Sequence, residues 1–424
     1  MKERLTLLLK NDKKKAYEYF FIICVLSYAL FTVLDLLIVG KSALQWSLLW
    51  DGEDFIADFT NVIGYSAERD PYNHTLVYGL GEKAYPPLQY VVTYFLSRSI
   101  FNKQHYYDIR NYTSMHADTK IAMMYILLTV ITVILLYECI RTYKNGSNFV
   151  KAFTSIAIVL SFPIIFSLER GNSILAVLVF VLFYICFYKA NNKVLRELSF
   201  VSLALAAALK LTPALLGVLL LLEKRWKEAI RTIIYGILFF FLPFLFFKGG
   251  FNNIPLFLRN LSIQLETYKN EAGCTIKGYI LHYASGLSTI NMDLLSTVCT
   301  IVTVIICAFL LVATFLSDRN CERLLYLCLT TIILPSHSGT YCIVYLIPAT
   351  IAFLNEPNKK QLDILVIIGS CFCLCELGGV IGFSLINFHN GLLIILLYSI
   401  MQAVTTIFTH FKYKNTISKE SPVS

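Results

Sequence analysis

The sequence predicts an all-α polytopic membrane protein with about twelve transmembrane helices and a large first external loop carrying interfacial helices. Three observations predict it. Of the 424 residues, 57% are apolar and only 15% are charged, whereas a soluble domain is about 25% charged and 45–50% apolar. Several apolar runs approach or exceed the roughly 20 residues a helix needs to cross the hydrocarbon core. Two of the longest runs are broken near their middle by a proline-containing polar stretch. The composition excludes an ordinary soluble domain, a disordered chain and a collagen-like fibre.

Residues 2–15 carry Lys2, Arg4, Lys10, Lys13, Lys14 and Lys15. The apolar run behind them is too long for the h-region of a signal peptide, and no small-residue cleavage site follows. Residues 19–39 therefore read as a signal-anchor helix with a cytoplasmic N-terminus. Further spans read at 120–141, 152–168, 173–189, 198–222, 230–247, 290–316, 323–354, 361–384 and 391–410. Lys210-Leu211-Thr212-Pro213 interrupts one long run and Pro335-Ser336-His337-Ser338-Gly339 the other. Proline removes a backbone donor and clashes with the preceding turn, so each run splits into a pair of short helices. The whole chain, 1–424, reads as one integral membrane domain.

Residues 86–100 decide the topology. If that short apolar stretch crossed, every later loop would invert. If it lies in the outer interface, most of the 36 Lys and Arg residues fall on one side: the N-terminal six, Arg141/Lys144/Lys151, Lys189/Lys193/Arg196, Lys224/Arg225/Lys227/Arg231, Arg319/Arg323, Lys359/Lys360 and Lys412/Lys414/Lys419. The positive-inside rule selects the second arrangement. It gives external loops at 40–119 and 249–289, cytoplasmic termini, and a site on the outer face of the cytoplasmic (inner) membrane. The formal charge of +9 is then an orientation signal rather than a polyanion-binding surface, and no nucleic-acid partner is expected.

Of twelve cysteines, only Cys274 falls clearly in an external loop. Cys371-x-Cys373-x-Cys375 lacks zinc spacing, and these residues read as small apolar fillers.

The remaining polar chemistry gathers on the outer side. Asp54 and Asp58, four apart, would share a helix face, where like charges need a cation, a hydroxyl or a shifted pKa to answer them. A solvated acidic loop start accounts for the pair equally well. Arg69-Asp70-Pro71-Tyr72 and Tyr85-Pro86-Pro87-Leu88 stiffen the loop. Glu169-Arg170-Gly171-Asn172 is a tight turn holding an outer-face arginine suited to a phosphate. Lys210 stands at one helix break, where a lysine would otherwise snorkel to the headgroups. His337 stands at the other, between half-helices that commonly build polar sites. Asp35 and Glu376 lie within spans, and intramembrane acids are functional candidates by default.

In order, Asp58-Phe59-Thr60-Asn61, Asp70-Pro71-Tyr72, Tyr85-Pro86-Pro87-Leu88, Gly171-Asn172 and Leu209-Lys210-Leu211-Thr212-Pro213, followed by Arg225-Trp226, resemble glycosyltransferase family 87 of the glycosyltransferase C superfamily. The resemblance covers the first 230 residues well and the rest weakly. It implies an enzyme that moves a sugar, mannose as the first guess, from a polyprenyl-phosphate donor to a glycan or glycolipid acceptor. It makes Asp58 the catalytic base, accompanied by Asp54 and, by a looser correspondence, His337. Arg170 and Lys210 become donor phosphate-binding residues, and Asn61, Arg69, Tyr72, Tyr85 and Asn172 substrate-binding positions. Asn172 departs from the family's common Gly-Gln form.

That chemistry suits these residue types. A carboxylate takes the acceptor hydroxyl's proton as the oxygen attacks the anomeric carbon. The phosphate leaving group needs positive charge at its oxygens. No cofactor is expected, and a divalent metal at Asp54/Asp58 ranks below a metal-free site. No phosphate-binding glycine loop or zinc motif is present. Two alternatives stand beside this reading. A Wzy-like polysaccharide polymerase would rely on outer arginines rather than an acidic first loop. A transporter or flippase of lipid-linked glycans would show internal repeats and mid-membrane charges.

Overall fold

The computed structural model describes residues 2–38, 56–66, 69–73, 83–98, 119–268, 273–284, 291–335, 338–378 and 385–420. Asp54, His337 and much of the loop 40–119 lie outside the described residues. All regular structure among the described residues is helical. In chain order the helices are α1 (Lys2–Ile38), α2 (Ala57–Ser66), α3 (Pro87–Arg98), α4 (Thr119–Tyr143), α5 (Asn148–Val159) and α6 (Phe162–Arg170). They continue with α7 (Ile174–Phe187), α8 (Lys193–Leu209), α9 (Val218–Leu222), α10 (Trp226–Phe241), α11 (Asn253–Thr267) and α12 (Ile276–Ala284). The last are α13 (Met292–Leu316), α14 (Asn320–Ile333), α15 (Ile347–Asn355), α16 (Asp363–Leu374) and α17 (Phe388–Glu420).

Local sequence sets many of the boundaries. Asn192 caps α8 by accepting from the backbone N–H groups of Val194 and Leu195, at 2.9 and 3.2 Å. Asn291 caps α13 in the same way through Leu294 N–H at 3.1 Å, and each cap satisfies donors that a helix start leaves open. Ser161 and Pro163 divide α5 from α6, and the two helices bend by 47° at that break. α7 is apolar on every face and is buried between α4 and α8, as an all-round hydrophobic helix requires.

Both expected breaks are present. α8 ends at Leu209, and the chain resumes as a 3-10 turn over Thr212–Gly217 before α9. α14 ends before Pro335, and a second 3-10 turn, Thr340–Leu346, leads into α15. Within the stretch 86–100, Pro87–Arg98 forms a helix, α3.

Among the described residues, the expected crossings divide into long apolar helices and shorter ones. Five helical segments among the described residues are long and apolar enough to cross a membrane: Lys14–Ile38, Thr119–Tyr143, Trp226–Phe246, Met292–Leu316 and Phe388–Lys412. The bent α5–α6 pair makes a sixth if counted as one span. The other expected crossings fall on shorter apolar helices such as α7 and α16. Hydropathy sees only the composition of a run, and cannot distinguish a full span from short helices buried inside a bundle.

The bundle has two chemically different ends. At one end the loops with most basic residues meet. Lys144 is fully buried with Glu18 at 2.5 Å, and Asn355 joins Tyr143 O and Asn145 N–H, each at 2.8 Å. Nearby, Arg319 pairs with Glu322 and Asp363, and Lys360 pairs with Glu322, all at 2.7 Å. Tyr398 OH adds a 2.8 Å bond to Asp363. Burial raises the Glu322 carboxyl, but bonds from Lys360, Arg319 and Ser317 more than reverse that and leave it below the usual carboxylate value.

α8 leaves this end at Lys193 and arrives at the other at Leu209. α14 likewise runs from Asn320 to the Pro335 break. At 1.5 Å rise per residue these helices hold the two ends roughly 20–25 Å apart.

Glu376 has a structural partner set. Its two carboxylate oxygens accept from Gly378 N–H and Phe388 N–H, both at 2.8 Å, so it ties the end of α16 to the first turn of α17.

Candidate active site

The turn between α6 and α7 organises the second end. Gly171 closes α6 in the left-handed region, with φ 67°. Its missing side chain admits the start of α2: a Cβ there would stand 2.8 Å from Phe59 Cβ and 3.2 Å from Ile56 Cα. Ile56 N–H donates to Glu169 O at 2.7 Å, and Tyr125 OH donates to Leu168 O. The start of α2, with Asp58 in its first turn, is thereby fastened to the turn after α6.

Asp58 lies in the first turn of α2, where the positive end of the helix dipole favours a carboxylate. Asn172 Nδ2 donates to Asp58 Oδ2 at 2.6 Å. Asn172 Oδ1 accepts from Ile174 N–H at 2.9 Å, which fixes the amide so that its NH₂ group faces the carboxylate. Arg170 Nη2 stands 3.5 Å from Asp58 Oδ1. Asn61 follows one turn later on α2 and is half-buried.

Lys210, at the first break, holds its ammonium 5.3 Å from the centre of the Tyr85 ring and 5.4 Å from that of Tyr341. Two ring faces attract a cation there and shield it from water. Asp58 interacts electrostatically with Lys210, Tyr85 and Tyr341, and Arg170 with Tyr341. Burial first, and the Asp58 carboxylate second, hold the Tyr85 phenol well above the usual tyrosine range. It is a neutral hydroxyl at ordinary pH.

The loop motifs are joined by an aromatic cluster. Tyr72 is fully buried, and its OH donates to Tyr85 O at 3.1 Å. Its ring packs on Tyr90, Phe244, Phe247 and Phe257. Asn260 Nδ2 donates to Tyr72 O at 2.9 Å, which brings α11 into the same cluster. Arg69 turns away from Asp58. Its Nε donates to Phe246 O at 2.8 Å and its guanidinium lies over the Phe246 ring at 4.4 Å. The segment after the second break is held by Cys274, whose N–H donates to Ser338 O at 2.8 Å.

The structure thus gathers Asp58, Arg170, Asn172, Lys210 and Tyr85 around one point. It places Tyr72 behind Tyr85 as a support and Arg69 against Phe246. Sequence reasoning missed Tyr341, Gln89 and Ser173. Ser173 Oγ donates to Gln89 Oε1 at 3.2 Å, beside Asn172. A lone glutamine in the apolar α3, and a tyrosine two residues after the Pro335–Gly339 break, were the available signals.

Chemically, the cluster offers a carboxylate oriented by an amide, an arginine beside it, and a screened ammonium within electrostatic reach. The family model for glycosyltransferase family 87 matches residues 84–336, more than half of the chain. The matched stretch contains Tyr85, Arg170, Asn172 and Lys210, and Asp58 precedes it. Neither curated proteins nor solved structures give a match.

Proposed function

The chain belongs to glycosyltransferase family 87, which indicates a membrane glycosyltransferase, and from that premise we propose that it transfers a sugar from a polyprenyl-phosphate donor with Asp58 as general base. The sugar goes to a glycan or glycolipid on the outer face of the cytoplasmic membrane, and mannose is the first candidate. The observation that carries the reading is the bracketing of Asp58 by Asn172 at 2.6 Å and Arg170 at 3.5 Å, with Lys210 in electrostatic reach. That is an oriented base and two cations in one cluster, the set needed when a hydroxyl attacks and a phosphate leaves.

In this mechanism Asp58 accepts the acceptor hydroxyl's proton as its oxygen bonds to the anomeric carbon. The bond from that carbon to the phosphate oxygen breaks, and the electron pair leaves with the lipid phosphate. Lys210 and Arg170 meet the charge that develops on the leaving oxygens. The Tyr85 hydroxyl, neutral in its buried setting, is available to a sugar oxygen. His337 and Asp54 are retained as candidate catalytic residues. The orientation with cytoplasmic termini is supported by the meeting of basic loops at the end of the bundle away from Asp58.

The test is transfer by the purified full chain, given a panel of polyprenyl-phosphate sugars. Asp58→Asn is expected to abolish transfer while the protein still inserts and folds. Full activity in that variant removes Asp58 as base.

A further inference from the structure

A cavity of about 230 Å³ opens beside Asp58. One face of α3, with Gln89, Val92 and Leu96, forms one wall, and the Tyr125 and Leu128 face of α4 forms the opposite one. Several of its apparently polar side chains are committed elsewhere. Thr93 Oγ1 donates to Gln89 O at 2.8 Å, Ser167 Oγ donates to Pro163 O at 2.6 Å, and Tyr125 OH donates to Leu168 O. Their hydroxyls are thereby satisfied within the protein. Asp58, Asn172 and the Gln89–Ser173 pair form one polar patch of the lining, which also includes Thr129 and Thr132. Val92, which lines the cavity, is 45% exposed.

Resting on the glycosyltransfer reading above, we propose that this cavity holds the hydrocarbon part of the acceptor, so that the acceptor is an amphiphile, a sugar on a lipid chain, and not a free oligosaccharide. Asp58 lines the cavity, whereas neither Arg170 nor Lys210 does. In an inverting displacement the nucleophile and the leaving group lie on opposite faces of the anomeric carbon. A cavity that touches the base and not the phosphate-binding cations is therefore on the acceptor side. The hydroxyl that reacts sits against Asp58, and the alkyl chain lies along Val92, Leu96, Leu128 and Leu175.

The test uses the full chain in nanodiscs with methyl, hexyl and decyl glycosides of one sugar. A decyl glycoside with a diazirine at its chain end serves for photolabelling. Each methylene that enters an apolar site strengthens binding about fourfold. The label is expected on Val92–Leu96 and Leu128–Thr132, and Leu128→Trp lowers it by about fivefold or more. Leu135→Trp, on an outward position of α4 that is 46% exposed, leaves the label unchanged.

With polyprenyl-phosphate sugars present, the apparent KM falls about tenfold or more from methyl to decyl in the native protein. Leu128→Trp reduces that gain to about threefold or less. Partition into the bilayer is common to all variants, so their difference isolates the cavity. Val92→Phe, from the opposite wall, replaces Leu128→Trp if that variant fails to fold.

Equal labelling in Leu128→Trp and Leu135→Trp, or a label beside Lys210, overturns the proposal, and the second result assigns a chain to the donor side instead. Equal KM for methyl and decyl acceptors also overturns it, while glycosyl transfer stands. Absence of transfer with every donor counts against the glycosyltransfer reading, and the photolabel still decides whether the cavity takes the chain.

Discussion

Replacing Gly171 by alanine tests how the site is held together. The residue sits at φ 67°, where a side chain costs about 1–3 kcal/mol. The new Cβ would also lie 2.8 Å from Phe59 Cβ, whereas ordinary contact begins at 3.4 Å. The start of α2 must therefore retreat by about 0.6 Å, the difference between those two distances. Phe59 is the neighbour of Asp58, so the retreat displaces the carboxylate from Asn172 and Arg170. Misplacement of a catalytic group by 1 Å costs about a hundredfold, so roughly a tenfold fall in kcat is expected.

Gly64→Ala is the internal control. It lies on the same helix, a Cβ there meets nothing within 4 Å, and replacing a helical glycine stabilises by about 0.5–1 kcal/mol. The assay pairs sugar transfer from a polyprenyl-phosphate donor with a thermal melt of each variant. Gly64→Ala should keep its rate and melt higher, while Gly171→Ala should melt lower and lose rate. Native transfer by Gly171→Ala would refute the idea that the close approach of this turn positions Asp58.

Other outcomes follow from the same geometry. Asn172→Ala removes a hydrogen bond to a carboxylate, worth about 1.5–3 kcal/mol, and should lower kcat/KM roughly ten- to a hundredfold, read by steady-state transfer. Lys210→Met keeps the chain length without the charge, and should weaken donor use by about a hundredfold with a smaller effect on acceptor KM. Glu322 makes a pH prediction. Its folded carboxyl lies below its usual value of 4.5, so its contribution is present above that pH and fades as pH falls through the lower folded value. Melting curves should therefore drop more steeply below about pH 4 in the native protein than in Glu322→Gln.

The sequence reveals those parts of the fold that depend on local chemistry. Pro213 and Pro335 mark the two breaks, because a missing donor acts wherever the proline sits. Gly171-Asn172 marks the turn, since the left-handed position favours glycine. What the sequence conceals depends on distant partners. Arg69 reads as a substrate-binding position, but its Nε donates to Phe246 O, 177 residues away. Glu376 reads as an intramembrane acid with no partner, and one of its two donors lies twelve residues on, at Phe388. Tyr341 gains meaning only when the second break folds against the first, beside Lys210. Helix ends inside the apolar runs were also concealed, because composition does not report where α7 or α16 stops.

The division of the bundle into a clamped end and an assembled end bears on how this enzyme can change over time. Arg319, Glu322 and Asp363 form a largely buried set that the exposed Lys360 joins from its rim, and loss of one partner from a buried pair costs about 3–5 kcal/mol. Drift at that end is therefore strongly opposed. Around Asp58 the walls come from separate short pieces: a turn, two helix interruptions and α3. Each can alter its own side chains without disturbing the clamp. A lineage can thus try new sugars or acceptors at one end of the molecule while its foldability is underwritten at the other.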